Sequence, residues 1–472
     1  MERRVLCVSY SPKSLTPKET VLVFALHCIM MLRPSDKQFL AKQALVTVIK
    51  DIPFQSLPSS SSSNLTWSPD SVIQLLRSIS RFCFPSHRSI GSQTTNIFRH
   101  RSLPLSNQTY NPYLTNLALR KSHEFLHWIH SHFNFIHTQS TSLEMAILII
   151  KSKHTNALWT FLKQISSSNT NNVSNNNLVT VATVTCLIKL LGEQGLGKEA
   201  LLMFYRMRQF GCKPDVQAYN ALINAMCCVG NFTKARHLLQ QMELPGFHSP
   251  PDVFTYTILI SFYCRYGVKI SGCRKAVRRR LYEANRLFRV MVFKGIVPDV
   301  VTYNALIDGC CKTYRVGRAL ELFEDMKKRG CVPNRVTYDS FIRYYSAVNE
   351  IDKAVEFLRD MQRLNRDGGN EMVGGCSSYT PIIHALCEVG RVVDAWNYLV
   401  ELVDRRLVPR EYTYKLVCDG LRLKGEDGLL SGQVHRRIKY GILERYKRTM
   451  KVKPVMTRKG YPELEDLFDQ KE

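Results

Sequence analysis

Small hydrogen-bonding side chains recur in pairs along the second half of the chain. A hydroxyl or carboxamide can both donate and accept, whereas an ionised carboxylate only accepts, so the set suits recognition by hydrogen bonds. Taken singly, an Asp or Asn before a helix is an ordinary N-cap. Their recurrence at fixed offsets makes the whole set a candidate for hydrogen-bonding recognition. The pairs are Thr185 with Asp215, Asn220 with Asp252, Thr257 with Asp299, and Asn304 with Asn334.

Residues 300–334 show most clearly which elements hold these side chains. The stretch contains two apolar patterns with the i, i+3, i+4, i+7 spacing of a helix face, one starting at Tyr303 and the other at Ala319. The few residues between them leave room only for a tight turn, and Gly330 and Pro333 end the second helix. Because such a hairpin cannot bury both apolar faces alone, it needs neighbours like itself.

The same pattern recurs with a period near 35 residues. Ala at the twentieth position lets two helices approach closely, while Tyr, Leu, Ile and Met at other fixed positions form a continuous core between stacked units. The pattern predicts six repeats in 181–410, with units 181–215, 216–252, 253–299, 300–334, 335–375 and 376–410. The remaining predicted regions are a targeting or disordered extension in 1–36, a helical and loop region in 37–112, degenerate repeats in 113–180, and a degenerate repeat, cap and basic tail in 411–472.

The chain resembles the pentatricopeptide repeat family in its pure-repeat plant form. The resemblance rests on V-T-Y-N-A-L-I-D-G-C-C-K from Val301, A-L-E-L-F-E-D-M-K from Ala319, and G-C-V-P-N from Gly330. It implies an all-α fold, a right-handed superhelical solenoid of helix-turn-helix repeats. The nearest alternative, a tetratricopeptide array, has a Trp-Leu-Gly-Tyr signature that this sequence lacks.

The resemblance also implies that each repeat contacts one base of single-stranded RNA, through the fifth and last residues of the unit. In the family's pattern a Thr/Asp pair resembles a guanine reader, Asn/Asp a uracil reader and Asn/Asn a pyrimidine reader. The four pairs then imply the RNA sequence 5′-G-U-G-Y. Phe254, Val301 and Val336 occupy the second position, where apolar packing on a base is expected.

Two later units depart from this pattern. Asp339 and Thr380 occupy the fifth position and are predicted to contact RNA, but their partners, Gly375 and Arg410, match no usual pair. The resemblance implies a monomer that acts in organellar RNA metabolism by occupying a transcript segment, alone or with other RNA-processing proteins. The steps it could serve are stabilisation, processing, splicing, editing and translation.

Two other classes of function compete with this one. A helical-repeat scaffold for protein–protein interactions would use the same fold without needing the paired polar residues. An enzyme has little support, because the chain lacks an H-x-E with a downstream C-x-x-C and a Gly-rich phosphate loop after a strand. His123, His127 and His130 have helical ligand spacing, but without acidic partners a plain helix face is favoured. No catalytic residue, metal or cofactor is predicted.

Composition supports a polyanionic partner and a reducing compartment. Lys and Arg number 65 against 39 Asp and Glu, which gives a formal net charge of +26. The 15 cysteines include no C-x-x-C and are spread along a long chain, so buried free thiols are favoured over disulfides or metal ligands.

The N-terminal region resembles an organellar transit peptide. It is rich in Ser and basic residues and poor in acidic ones, as such peptides are. The family resemblance favours the mitochondrion, with the chloroplast as the alternative. The apolar run Val21 to Leu32 is too short to span a bilayer, and no membrane association is expected.

Two basic segments remain open to several interpretations. Extra residues between Gly267 and Ala284 are predicted to lie in a hairpin turn, and the basic side chains from Lys269 to Arg280 could contact phosphate, form a solvated and partly helical bulge, or act in nuclear import. The tail from His435 to Lys459 is interpreted as a capping helix with a solvated face, with RNA contact as the alternative.

Overall fold

A computed structural model describes most of the chain as two compact units. One unit contains the described residues up to Asn231, and the other runs from Phe232 to Val452. Within the described ranges all regular secondary structure is helical, with no strand, so the predicted all-α fold is confirmed. The described residues are 36–54, 67–84, 112–133, 135–168, 179–269, 274–366 and 375–452.

Nineteen α-helices and two short 3₁₀ helices lie in these ranges. In the first unit they are α1 Asp36–Ile49, α2 Pro69–Cys83, α3 Pro112–Phe133, α4 Gln139–Lys151, α5 Thr155–Ser168, α6 Val181–Glu193, α7 Gly197–Tyr205, a 3₁₀ helix Met207–Phe210 and α8 Val216–Val229. In the second they are α9 Phe232–Met242, α10 Val253–Lys269, α11 Arg274–Phe293, α12 Val300–Lys312, α13 Val316–Lys328, α14 Arg335–Ala347, α15 Ile351–Arg366, α16 Cys376–Glu388, α17 Val392–Asp404, α18 Glu411–Leu423, a 3₁₀ helix Asp427–Ser431 and α19 Gln433–Val452.

The first unit combines an aromatic cluster with stacked helices. Phe54, Trp67, Phe125 and Trp128 are all buried, with ring centroids between 5.1 and 6.3 Å apart in the contacting pairs. Buried Lys121 donates to the carbonyl of Ile52 at 2.8 Å and to Glu124 Oε2 at 2.9 Å, so its charge is paired beside this cluster. From there α4, α6 and α8 pack side by side, and α5 and α7 each pack on the preceding helix.

The long helix α3 lies in the region where the sequence predicts degenerate repeats. It is one continuous helix of 22 residues. Its buried face follows a helical period from Leu117 to Ile129. His123, His127 and His130 are exposed on this helix, and no group of three or more potential metal ligands lies in the part of the chain that the structure describes.

The second unit is a series of stacked helical hairpins. Four helices, α10, α12, α14 and α16, each pack on the following helix of their own hairpin and on the first helix of the next one. The Ala and Met residues of the repeating pattern, such as Ala319 and Met326, are fully buried at these contacts. This arrangement is the solenoid of helix-turn-helix repeats that the sequence predicted.

The turn of one hairpin differs from the prediction. Gly230 and Gly390 have φ values of 83° and 82° and end helices, as turn glycines do. Gly267 lies inside α10 instead, because the extra residues of this unit extend both helices. The insert is therefore not confined to the turn, and it makes α11 a helix of 20 residues.

No helix in the described ranges combines the length and the apolar character that crossing a membrane would need.

Candidate nucleic-acid interface

Polar residues cap the first helices of successive hairpins. Asp215, Asp299 and Asn334 are the N-cap residues of α8, α12 and α14. The Oδ1 atoms of Asp215 and Asp299 each accept a backbone N–H at 2.8 Å from the third residue of the helix. Asp252 accepts the Thr255 N–H at the same distance. The N-cap interpretation is thus correct for these residues, and capping fixes each side chain beside the helix while using only part of its hydrogen-bonding capacity.

The second unit joins Thr257 to Asp299 through a bridging hydroxyl. Thr302 Oγ1 donates to Asp299 Oδ1 at 2.7 Å and lies 2.6 Å from Thr257 Oγ1. Since the Thr302 hydroxyl has one proton and the ionised carboxylate can only accept, Thr257 must be the donor to Thr302. No described residue bonds to Asp299 Oδ2. The group formed by Thr257 and Asp299 therefore offers acceptors only.

Asn304 and Asn334 are in direct contact and have the opposite character. Asn304 Nδ2 donates to Asn334 Oδ1 at 3.0 Å, and Thr337 Oγ1 donates to Asn304 Oδ1 at 2.6 Å. Asn334 Oδ1 also accepts the backbone N–H of Val336 at 3.0 Å. Among the described residues none accepts from Asn334 Nδ2, so exposed N–H donors remain on this pair.

The later fifth-position residues are placed differently. Asp339 is buried, and its two carboxylate oxygens accept from Ser377 Oγ at 2.7 Å and Ser378 Oγ at 2.5 Å. Thr380 is half-buried on α16. Its predicted partner, Arg410, is the N-cap residue of α18 and makes no side-chain capping bond.

In the first unit the predicted pair is not joined by a direct hydrogen bond. Thr185 lies on α6, and its Oγ1 is buried with no hydrogen-bond partner among the described residues. Asp215 is exposed at the start of α8. Asn220 is half-buried on α8, whereas its predicted partner Asp252 belongs to the second unit.

Three exposed apolar side chains accompany the polar residues in the second unit. Phe254, Val301 and Val336 have exposed fractions of 68, 58 and 49 %. Phe254 precedes Thr257 by three residues and Val301 precedes Asn304 by three, so each apolar side chain shares a helix face with a fifth-position residue. An exposed aromatic ring beside hydrogen-bonding groups can stack on a nucleobase.

Buried hydroxyls at the third position of the first helices are functional candidates that the sequence interpretation missed. Thr302, Thr337 and Ser378 have no measurable exposure, and each contacts the fifth-position residue of the preceding hairpin. A Thr or Ser recurs at this position in the sequence. A hydroxyl in the first turn of a helix is equally consistent with a capping box, so the sequence alone did not indicate a contact with the preceding hairpin.

Comparisons with known proteins match this architecture. A family model described as "PPR repeat family" matches 179–228, 215–265, 270–312 and 298–343, and two models described as "PPR repeat" match 329–362 and 377–407. Pentatricopeptide repeat-containing protein At1g77405 of Arabidopsis thaliana is 51 % identical over 437 residues, which cover 88 % of this chain and 93 % of that protein.

More distant relatives match shorter segments. The Arabidopsis thaliana protein At1g80150, named mitochondrial, is 29 % identical over 27 % of this chain and 29 % of its own length. At5g48730, named chloroplastic and from the same plant, is 32 % identical over 26 % of this chain and 22 % of its own length.

A comparison with solved structures finds the crystal structure of maize PPR10 with an 18-nt psaJ RNA element. The match covers 93 % of this chain and 72 % of that chain, at 16 % identity and a TM-score of 0.35.

The repeated hairpins, the matched repeats and the relative that is similar over nearly its whole length lead to one conclusion. This chain belongs to the pentatricopeptide repeat family.

Proposed function

We propose that this protein binds single-stranded RNA sequence-specifically through the fifth-position and N-cap residues of successive hairpins. The observation that carries the proposal is the change in hydrogen-bond polarity between adjacent hairpins. Thr257 with Asp299 offers acceptors only, while Asn304 with Asn334 retains donors. A surface built only for helix capping has no need for such alternation.

The two polarities suit different bases. Guanine presents N1–H and N2–H donors on its Watson–Crick edge, which an acceptor-only group can bind. Cytosine and uracil present carbonyl O2 as an acceptor, which the amide donors of Asn334 can bind. This is the order, guanine and then pyrimidine, that the family resemblance implies for these two hairpins.

Binding of this kind would act by occupancy. A bound transcript segment stays unpaired and shielded from nucleases, or exposes a neighbouring site to splicing, editing or translation machinery. The protein would work as a monomer without catalysis of its own, alone or with other RNA-processing proteins. Family membership and the basic net charge support an organellar RNA partner, and the names of relatives include both mitochondrial and chloroplastic proteins. We favour the mitochondrion.

A base-preference switch tests the proposal. The double variant Asn304→Thr with Asn334→Asp converts the donor-bearing pair into the Thr/Asp pair of the preceding hairpin. Binding of the full chain to short RNAs with a GUGN core, where N is each base in turn, is measured at two salt concentrations. We expect the fourth base to change from pyrimidine to guanine, with a change of about tenfold or more in the ratio of dissociation constants.

A matched control separates this effect from general damage. Asn397 is an exposed Asn on α17, a second helix, and Asn397→Thr should leave the base preference unchanged. Binding that falls with salt but ignores sequence in all variants would reduce the proposal to a basic surface. Absence of RNA binding would contradict it and favour the protein-interaction scaffold.

A further inference from the structure

In three hairpins of the second unit, a buried hydroxyl contacts the fifth-position residue of the hairpin before it. Thr302 contacts Thr257 at 2.6 Å, Thr337 donates to Asn304 at 2.6 Å, and Ser378 donates to Asp339 at 2.5 Å. All three hydroxyls sit at the third position of a first helix.

We propose that these third-position hydroxyls are positioning residues that set which hydrogen-bonding atoms the preceding hairpin presents to RNA. The proposal rests on the proposed function and deepens it. Each base would then be recognised by a set of three residues: the fifth-position residue, the N-cap residue, and the third-position hydroxyl of the next hairpin. The hydroxyl itself contacts no base. Because the hydroxyls are buried, they can act on specificity only through the side chain they hold.

Thr302 determines the proton direction at Thr257. Its own proton is committed to Asp299 Oδ1, so it must accept the Thr257 proton. The Thr257 hydroxyl, which is 7 % exposed, can then act toward any further partner only as an acceptor. Without the Thr302 hydroxyl, the Thr257 hydroxyl could rotate and donate outward, and a base with an acceptor at that point, such as adenine at N1, would be tolerated.

Thr337 determines the orientation of the Asn304 carboxamide. A donated proton at Asn304 Oδ1 leaves Asn304 Nδ2 to face Asn334 Oδ1 at 3.0 Å. Thr337 Oγ1 also accepts the backbone N–H of Asn334 at 3.1 Å, so both amide residues are tied to one hydroxyl. Loss of this hydroxyl would let the Asn304 carboxamide turn over and present its oxygen, which adds an acceptor beside the donors of Asn334.

At Asp339, hydroxyls of the next hairpin occupy both carboxylate oxygens. Ser378 takes Oδ1, and Ser377, its neighbour on α16, takes Oδ2 at 2.7 Å. The Asp339 side chain is 6 % exposed. Its carboxylate is therefore satisfied within the protein, and we infer that this hairpin discriminates among bases weakly.

The test uses Thr337→Val and Thr337→Ser in the full chain. Valine keeps the shape and removes the hydroxyl, while serine keeps the hydroxyl. Dissociation constants are measured for GUGN RNAs with each base at N, and for RNAs altered at the third base. We expect Thr337→Val to lower the pyrimidine preference at N about three- to tenfold, the effect of one hydrogen bond, and Thr337→Ser to retain it. The preference at the third base should not change.

A second variant covers the case in which Thr337→Val weakens the helix start. Thr302→Val should lower the preference for guanine over adenine at the third base and leave N unchanged. If the wild-type protein selects bases and both valine variants keep the full wild-type ratios, the hydroxyls have no positioning role and this inference is wrong. A uniform loss of affinity at all bases would show only a structural role. Lack of base selection by the wild type would instead contradict the proposed function itself.

Discussion

At the scale of single residues, the repeated tyrosine combines core packing with a buried hydrogen bond. Tyr256, Tyr303 and Tyr379 are completely buried, and each phenol donates to a carboxylate oxygen, at 2.6, 2.7 and 2.8 Å respectively. The acceptor for Tyr303 is Asp325, on the second helix of the same hairpin. Burial raises the pKa of the Tyr303 phenol, and the hydrogen bond to Asp325 raises it further. The bond explains why this core position carries a hydroxyl.

Replacement of Tyr303 by Phe tests the value of that bond. The change keeps the ring and leaves Asp325 without its phenol donor, although Asp325 still contacts Arg329 at 3.1 Å. We expect a loss of about 1–2 kcal/mol of stability, measured by thermal or urea unfolding. The control is Tyr314→Phe, because the Tyr314 side chain is 71 % exposed. Equal effects of the two changes would show that the phenol–carboxylate bond contributes nothing particular.

At the scale of helices, the stacking depends on positions without a Cβ. A Cβ added at Gly309 of α12 would lie 2.9 Å from Cβ and Sγ of Cys264 on α10. These helices are the first helices of neighbouring hairpins and carry Asn304 and Thr257. Their close approach accompanies the contact between Thr302 of α12 and the fifth-position residue Thr257 of α10, at 2.6 Å.

Gly309→Ala should force α10 and α12 apart. We expect a net destabilisation of about 1–3 kcal/mol from overpacking, even though Ala favours a helix. The matched control is Gly317→Ala on α13, where an added Cβ meets nothing within 4 Å, and there the change should be neutral or stabilising by up to about 1 kcal/mol. Thermal unfolding of both variants measures the difference. A neutral Gly309→Ala variant would contradict the close-approach argument.

The sequence predicted the helices better than the contacts between them. The apolar spacing at Tyr303 and Ala319 predicted a hairpin because helix periodicity is local and strong. A partly helical insert was among the interpretations, but its confinement to the turn was wrong. Gly267 falls at the same place as the turn glycine Gly230, and a glycine can end a helix or lie within one. The hydroxyl network around Thr302 was missed because proton directions depend on residues that meet only in the folded chain.

At the scale of the whole molecule, the same contacts between neighbouring hairpins recur along the chain. The contacts that set hydrogen-bond polarity join consecutive hairpins, so the proposed base selection would depend on the same helices that stack to form the core. The basic net charge of +26 acts differently, because it attracts any polyanion without regard to sequence. In the proposed function, charge would contribute affinity for any RNA, and the polar residues at the helix starts would select among RNA sequences.

The repeated tyrosines also predict how stability depends on pH. Burial raises the pKa of Tyr256, Tyr303, Tyr379 and Tyr414 above the ordinary value of 10.0, and raises that of Tyr338 to about 12. A phenol is neutral when protonated, so above pH 10 the folded protein holds more protons than the unfolded chain. Stability must then fall as the pH rises.

The loss of stability begins at a lower pH because two thiols also contribute. Desolvation raises the pKa of buried Cys310 and of half-buried Cys387 from 9.0 to about 11. We expect the stability contributed by these groups to be complete below about pH 9, to decline between pH 9 and 10, and to decline more steeply above pH 10. Urea unfolding at a series of pH values measures the slope. Tyr338→Phe should make the slope above pH 10 shallower, because a phenyl ring has no proton to lose. A stability that stays constant from neutral pH to pH 11 would contradict the burial of these phenols.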